Sequence, residues 1–431
     1  MADEVKLSED QQNAWDSIRS GKNLFVTARA GAGKSFLIEY IKNNFRGRVI
    51  LTASTGIAAN TIGGRTLHSQ FLITPHKPDA DEAAEKVTSG KRGNALRSAR
   101  LLIIDEISMV SDALLTCVDN ICRIVRGNDK SFGGLQIVVF GDFLQLPPVF
   151  KGDTANDKIC WDCTCWAEAG IKTLLMTCNF RQAQDEEFAK ILNRLRHNQL
   201  YGKDIDRIRS RELPAPDSAI RLYSRNDEVD RYNQLKFERL DKNTEHRYVM
   251  DSWGCDQYRT DAFLKDSPVQ DELVLRLGAR VMRLVNKDVE GGYLYNGALG
   301  EVVGFSEYGG YPIVRFDCGI TETVERSAFI IEEKDDYGRK IELVHIEQVP
   351  LRCAWAVTIH KSQGQTFDSV FADCSSVFLF GQVYVAFSRC KSLEGLYVRG
   401  FVPNRALSDP YIVGRYCEME QEAFDKKYGQ S

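Results

Sequence analysis

A lysine and a serine at the start of a helix are the pair that holds terminal phosphates and a divalent cation. Lys34 and Ser35 stand in that order within the stretch "FVTARAGAGKSFL". The phosphate-loop pattern G-x-x-x-x-G-K-[ST] is met at Gly33-Lys34-Ser35, but its first glycine position holds Ala28. The cradle is expected over Ala30, Gly31, Ala32, Gly33, Lys34 and Ser35, with Gly31 and Gly33 allowing close backbone approach. Ala28 is expected where the strand leaves the sheet, with an ordinary negative φ. A plain strand–turn–helix connection stays open on this loop alone. A second signal narrows it: the apolar run "LLIID" delivers Asp105 and Glu106 at its end. Adjacent acids at a buried strand end repel unless a cation compensates. Asp105 is therefore expected to hold Mg²⁺, and Glu106 to orient or activate an attacking water. A third apolar run, "VVFGDFLQLPP", ends in Asp142 and Gln145, and an amide there can report a γ-phosphate.

The elements that must position these groups are legible around them. "NLFVTA", "RVILTAS", "ARLLIIDEIS" and "LQIVVFGDF" are apolar without alternation, which predicts strands buried on both faces. "KSFLIEYIKNNF" reads as the helix after the first strand. Such alternation predicts a doubly wound α/β domain. Ligands of open α/β sheets bind at the carboxyl ends of the strands, where Lys34, Asp105 and Gln145 fall. The stretch from Gly64 to Arg100 is polar with mixed charge and reads as a small insertion or exposed loop. A second α/β pattern begins near Arg181. From about Asp251 to Val344 glycine-separated alternating segments predict a small antiparallel β module inserted into it.

At 431 residues the chain has room for about three domains of ordinary size. No apolar run is long enough to span a membrane, and the N-terminus lacks the basic-then-apolar order of a secretory signal. The net charge of −4 excludes a bulk polycation but not a local basic track. Twelve scattered cysteines suit a reducing, intracellular compartment. In "CWDCTCW", Cys160, Cys163 and Cys165 supply half of a zinc pattern; the other half is missing, with Cys178 and His197 as loose candidates.

In combination "LSEDQQNAW", "AGAGKS", "TASTGIAA", "GGRTLHS", "LLIIDEISMV", "GDFLQLPPV", "NFRQ", "VTIHKSQGQTFDSV" and "VYVAFSRC" resemble the superfamily 1B DNA helicases of the petite-integration-frequency (Pif-type) family. The resemblance runs from about Leu7 to Phe401. It implies an α/β fold with two RecA-like doubly wound parallel-sheet domains. These would be residues 1–180, carrying a small wedge-type insertion at 64–100, and residues 181–250 with 345–431, carrying a small β-barrel-like insertion at 251–344. It implies ATP and Mg²⁺ as cofactors and 5′→3′ movement on single-stranded DNA with opening of tailed or forked duplexes. It also implies a monomeric motor without a membrane partner. The chain ends soon after the last motif, so no long extension is expected.

Residue by residue, the resemblance implies that Gln12 reads the adenine edge and that Lys34 and Ser35 bind phosphate and Mg²⁺. It further implies that Asp105 holds the metal, Glu106 is the catalytic carboxylate and Gln145 contacts the γ-phosphate. Arg181 and Arg389 become arginine fingers, and Gln363 and Gly364 line the nucleotide cleft. Thr52, Ser54, Thr55, Gly56 and His68 would touch DNA from the first domain, and Thr358, His360 and Lys361 from the second. Two alternatives remain: a DNA-stimulated translocase that remodels protein–DNA complexes without strand separation, and a non-catalytic scaffold.

Overall fold

The computed structural model describes residues 7–29, 31–74, 78–148, 158–177, 181–182, 185–253, 269–285, 287–289, 292–294, 297–334 and 340–428. Contacts divide the chain into two compact units, residues 1–224 with 358–431, and residues 225–357.

The first unit is built on a six-stranded sheet. Its strands are β1 (Leu24–Ala28), β2 (Arg48–Ala53), β3 (Arg65–Thr66), β4 (Ala99–Asp105), β5 (Gln136–Gly141) and β6 (Lys172–Met176). They are ordered β3-β2-β4-β5-β1-β6, and every pairing is parallel. All five residues of β1 are buried, as are six of the seven of β4. That is why these strands read as continuous apolar runs: helices cover both faces and no side chain has a wet side. One face packs Phe25, Leu102, Ile104 and Val139 into one core, and the other packs Val26, Leu101, Ile103 and Val138 into a second. Because all six strands point the same way, the ends of β1, β4 and β5 share one edge, and the loops after them carry Lys34, Glu106 and Gln145.

A second sheet of the same unit holds Ile220–Tyr223, Val370–Asp373 and Leu396–Arg399 in parallel. The buried helix Gln382–Ser388 lies just before its last strand in sequence. The C-terminal helix Pro410–Tyr428 returns to the first sheet, where Ile412 and Tyr416 enter the core around Phe25. Among the described helices none is long and apolar enough to cross a membrane.

The stretch 64–100, expected as a small insertion or an exposed loop, is helical over most of its described residues. It forms helices Leu67–Phe71, Ala80–Thr88 and Lys91–Ser98. Asp79 caps the second, accepting from the backbone N–H of Asp81 and Glu82. Ala83, Ala84 and Val87 form a narrow apolar stripe that is buried with Leu96, Leu115 and Val118, although the residues around them are charged.

The second unit pairs helix Asn226–Phe237 with antiparallel strands. Five strands are ordered Thr321–Thr323, Pro312–Phe316, Leu299–Phe305, Arg280–Arg283, Leu351–Cys353 around Leu275, Val281, Val302 and Phe316. The helix was expected with the second α/β domain. Its Asn233 amide instead donates to the carbonyls of Cys353 and Ala356, both at 3.2 Å, and its contacts group it with the β unit.

Candidate active site

Lys34 opens the helix Lys34–Asn44, and Gly33 before it has φ 81. Gly31 has φ 83, so two left-handed residues curl the loop and turn successive N–H groups to one side. Ala28 is not among the positive-φ residues, so a glycine is unnecessary there. Ala30 lies outside the described residues. Lys34 Nζ donates to Ala28 O at 3.4 Å, folded back over the loop, and Ser35 beside it is exposed.

The helix Glu9–Arg19 packs beside this loop. Ser8 and Gln11 cap it reciprocally, and Gln11 Nε2 also reaches Gly33 O at 3.5 Å. Gln12, the residue expected at the adenine edge, is exposed on the helix and donates to Asp16. The glutamine against the loop is Gln11. Its sequence signal was the capping box Ser8-x-x-Gln11.

At the end of β4, Asp105 and Glu106 are both buried. Burial pushes the Asp105 carboxyl up to about 7, the Glu106 charge adds to this, and Lys34 opposes it. Glu106 has φ 52, a left-handed conformation that a non-glycine residue rarely adopts. This conformation turns the carboxylate from the strand axis toward Gln363, whose Nε2 donates to Glu106 Oε2 at 3.0 Å. Gly364 follows with φ 82.

Arg181 and Arg389 lie near the same carboxylates. Burial pushes Arg389 down to about 9, with the Arg181 charge as the second cause. Burial also lowers Arg181, while Tyr384 and Glu106 oppose. Arg389 donates to the carbonyls of Val385, Ser362 and Gln365 and to Ser388 Oγ. Arg181 donates to Ser388 O at 2.9 Å.

Gln145 is buried and its Oε1 has no hydrogen-bond partner. Its loop is braced from three sides. Asp142 accepts from Arg196 Nη2 at 3.0 Å, both side chains being fully buried, and also from Leu144 N. Tyr416 OH accepts from Phe143 N at 3.1 Å and meets Thr27 Oγ1 at 2.6 Å, tying this loop to β1. Gly381 presses close enough that a Cβ there would lie 2.6 Å from Gln145 O, and its φ of 75 likewise suits glycine. Arg196, Tyr416 and Gly381 carried no motif and were not found by sequence reasoning.

The groups therefore fit a metal–nucleotide pair. Two crowded carboxylates call for a cation, and two crowded arginines call for an anion. Buried amide oxygens on Gln145 and Gln363 have no hydrogen-bond partner. Asp105 and Ser35 would hold Mg²⁺, and Lys34, Arg181 and Arg389 would hold phosphate.

The expected DNA contacts divide. Ser54 and Thr55 follow β2, Gly56 is exposed, and His68 lies half-buried on its short helix. Thr55 Oγ1 caps helix Gly56–Thr61 at Ala58 N. Thr52 does not fit the expectation: it is fully buried, and its hydroxyl donates to Ile103 O inside the sheet. Thr358 is also buried, and its Oγ1 accepts from Lys361 N, so it shapes the turn that presents His360 and Lys361. Burial lowers the His360 pKa and keeps the ring neutral at pH 7.

Cys160, Cys163 and Cys165 are buried, with 3.1 Å between the last two sulfurs, and Cys160 donates to Ile107 O. Cys178 lies outside the described residues. Among the described residues no group of three or more His, Cys, Asp and Glu is placed to hold a metal ion.

The PIF1-like helicase family model matches residues 6–205. The ATP-dependent DNA helicase PIF1 of Xenopus laevis is 34% identical over 98% of this chain and 66% of its own length. The chain thus spans about two thirds of that relative. The ATP-dependent DNA helicase Pif1 of Bdellovibrio bacteriovorus is 33% identical over 97% of this chain and 93% of its own. Among solved structures, Pif1 helicase from Bacteroides in complex with ADP-AlF3 and single-stranded DNA superposes with a TM-score of 0.76 at 31% identity, covering 99% of each chain. These matches and the site geometry agree: the chain belongs to the PIF1-like helicase family.

Proposed function

We propose that this chain is an ATP- and Mg²⁺-dependent 5′→3′ DNA helicase. The observation that carries the reading is the buried set Asp105, Glu106, Gln363 and Arg389 with the half-buried Arg181, whose crowded like charges a metal–nucleotide pair would compensate. The Bacteroides relative's capture with ADP-AlF3 and single-stranded DNA supports it. Mg²⁺ supplies charge neutralisation at the phosphates when bound. Lys34 and Ser35 hold the phosphate side, and Gln11 rather than Gln12 faces the base. Glu106 accepts the proton of the attacking water, with Gln363 fixing its orientation. Gln145 contacts the γ-phosphate. An arginine finger contributes about 10³–10⁵ in rate in related chemistry.

Coupling follows from connectivity. Arg389 is held by Ser362 O and Gln365 O, which bracket Gln363. Ser362 N in turn donates to Thr358 O, at the turn presenting His360 and Lys361. Reaching phosphate would require Arg389 to leave these carbonyls, which moves the segment that faces DNA. Ser54, Thr55, Gly56, His68, His360 and Lys361 form the proposed track. We assign the ATPase to two RecA-like halves, with 64–100 as the wedge-bearing part and the β unit as accessory. The motor is proposed to act as a monomer, and mass photometry on tailed DNA checks this.

The decisive experiment compares 5′- and 3′-tailed duplexes with and without ATP. Opening of the 5′-tailed substrate only, and only with ATP, is expected. Opening of 3′-tailed substrates alone would overturn the polarity, and ATP turnover without any strand separation would favour the translocase alternative.

A further inference from the structure

At the opposite end of the first sheet from Lys34 and Glu106 lies a hollow of about 770 Å³. Its wall comes from the end of helix Lys34–Asn44 and the starts of β4 and β5. The helix has 11 residues and so separates Lys34 from this hollow by about 16 Å. Strand β4 separates Arg100 from Asp105 by a similar distance, roughly 16–17 Å. The two places are therefore distinct.

The lining is unusual for a chain of net charge −4: it holds four arginines and neither an aspartate nor a glutamate. Arg126 is engaged, donating to the carbonyls of Gly133, Leu96 and Ala99. Arg19, Arg46 and Arg100 are exposed, and no carboxylate among the described residues pairs with them. Arg100 is directed by Gly47, where a Cβ would lie 2.5 Å from Arg100 Cδ; the bare backbone lets the arginine stem lie flat across it. Three aromatic residues, Trp15, Tyr40 and Phe45, stand in the rest of the wall. Tyr40 stands edge-on to Trp15 at 5.5 Å, Arg19 lies 5.9 Å from the Trp15 ring, and Phe45 is half-buried beside them.

Three free guanidinium groups exceed the roughly −0.5 charge that the helix C-terminus places there, so the hollow favours an anion. Arginines alone would suit any phosphate or carboxylate. Arginines interleaved with aromatic rims suit a ligand with both a planar face and a phosphate. The volume lies in the range of small-ligand sites. The neighbouring hollow shares Gly134 and Gln136, but its lining is mixed in charge, with Asp129 and Glu168 beside Arg123 and Lys130.

We propose that this hollow is a second binding site for a nucleoside phosphate, presented either as a free nucleotide or as a unit of a single strand. The base lies against Tyr40 and Phe45, and the phosphate lies on Arg46, Arg100 and Arg19.

The test uses the full chain holding ADP-aluminium fluoride, so that the Lys34 site is filled. Two photoreactive probes separate the sources: 5-iodo-deoxyuridine monophosphate, and a single-stranded 20-mer carrying 5-iodouracil at its tail. Crosslinked peptides are mapped by mass spectrometry. Labelling within residues 40–46 by either probe supports the site, and the probe that labels identifies the source. Arg46→Glu with Arg100→Glu should cut that labelling about tenfold, while DNA-stimulated ATPase at saturating DNA and the melting temperature stay unchanged. Absence of crosslinks in this peptide, labelling indifferent to the charge reversal, or competition by inorganic pyrophosphate as strong as by the mononucleotide would each overturn the proposal. None of these outcomes bears on the helicase reading, which rests on the opposite edge of the sheet.

Discussion

Gln363 Nε2 donates to Glu106 Oε2 at 3.0 Å, joining residues 257 positions apart in the chain. A hydrogen bond to a buried charge is worth about 1.5–3 kcal/mol, and each 1.36 kcal/mol of barrier is tenfold in rate. Gln363→Ala should therefore lower DNA-stimulated kcat by roughly 10–100-fold, with a smaller change in KM for ATP. Gln363→Glu should do worse, because it places a third carboxylate beside Asp105 and Glu106. Steady-state ATPase assays at saturating DNA check both. Equal activity of wild type and Gln363→Ala would remove Gln363 from the site.

The Arg196–Asp142 pair is fully buried and braces the loop that carries Gln145. Removing one partner leaves an uncompensated charge, which costs about 3–5 kcal/mol. Arg196→Met should show this loss in urea unfolding. Arg196→Met combined with Asp142→Leu should recover much of it, since replacing both ions removes the orphan. A double variant no more stable than the single would show that the pair is not the source.

Tyr416→Phe deletes one hydroxyl and keeps the ring. It leaves Phe143 N–H buried without its partner, at about 1–3 kcal/mol, and releases Thr27 in the strand that enters the phosphate loop. A lowered kcat with a raised KM for ATP is expected, although Tyr416 lies in a C-terminal helix with no recognised motif. Unchanged kinetics with lowered stability would assign it to packing alone.

What the sequence made legible follows burial. Strands β1, β4 and β5 could be placed because both faces are covered, and their ends therefore marked Lys34, Asp105 and Gln145. Thr52 was misplaced because a motif quoted as a block includes residues that point into the sheet. Gln11 was passed over for Gln12, although only Gln11 completes a capping box with Ser8. Helix Ala80–Thr88 has no strong sequence signal because three small apolar residues suffice to bury it, so composition leaves an insertion and a loop equally open. The Arg196–Asp142–Tyr416 bracing depends on residues far apart in the chain, and no local pattern announces such contacts.

Along the proposed DNA track, Lys361 and His360 should behave differently. Lys361→Ala should reduce the slope of log affinity against log salt for single-stranded DNA by about 0.7, the share of one phosphate. His360→Ala should leave that slope unchanged, because burial keeps the ring neutral. The same shift has a pH consequence. The folded pKa lies below the ordinary 6.5, so the unfolded chain binds more protons at acid pH, and stability falls as pH drops through 6.5. His360→Asn should flatten that part of a urea-stability profile between pH 5.5 and 7. A salt slope that drops equally in both variants would mean that His360 carries charge on DNA.

Glu106 combines a working carboxylate with a left-handed backbone at φ 52. For a residue with a Cβ, that conformation costs about 1–2 kcal/mol, while glycine adopts it freely but loses about 0.5–1 kcal/mol more chain entropy on folding. Glu106→Ala and Glu106→Gly both remove the carboxylate and the bond from Gln363, so both should be inactive as ATPases. They differ in the backbone alone. Glu106→Gly should therefore be the more stable by about 0.5–1 kcal/mol in urea unfolding. If alanine proves the more stable, the turn after β4 is relaxed in solution. If glycine does, the site keeps a strained acid because only this backbone conformation turns the carboxylate toward Gln363, and stability is lower there than the sequence could otherwise reach.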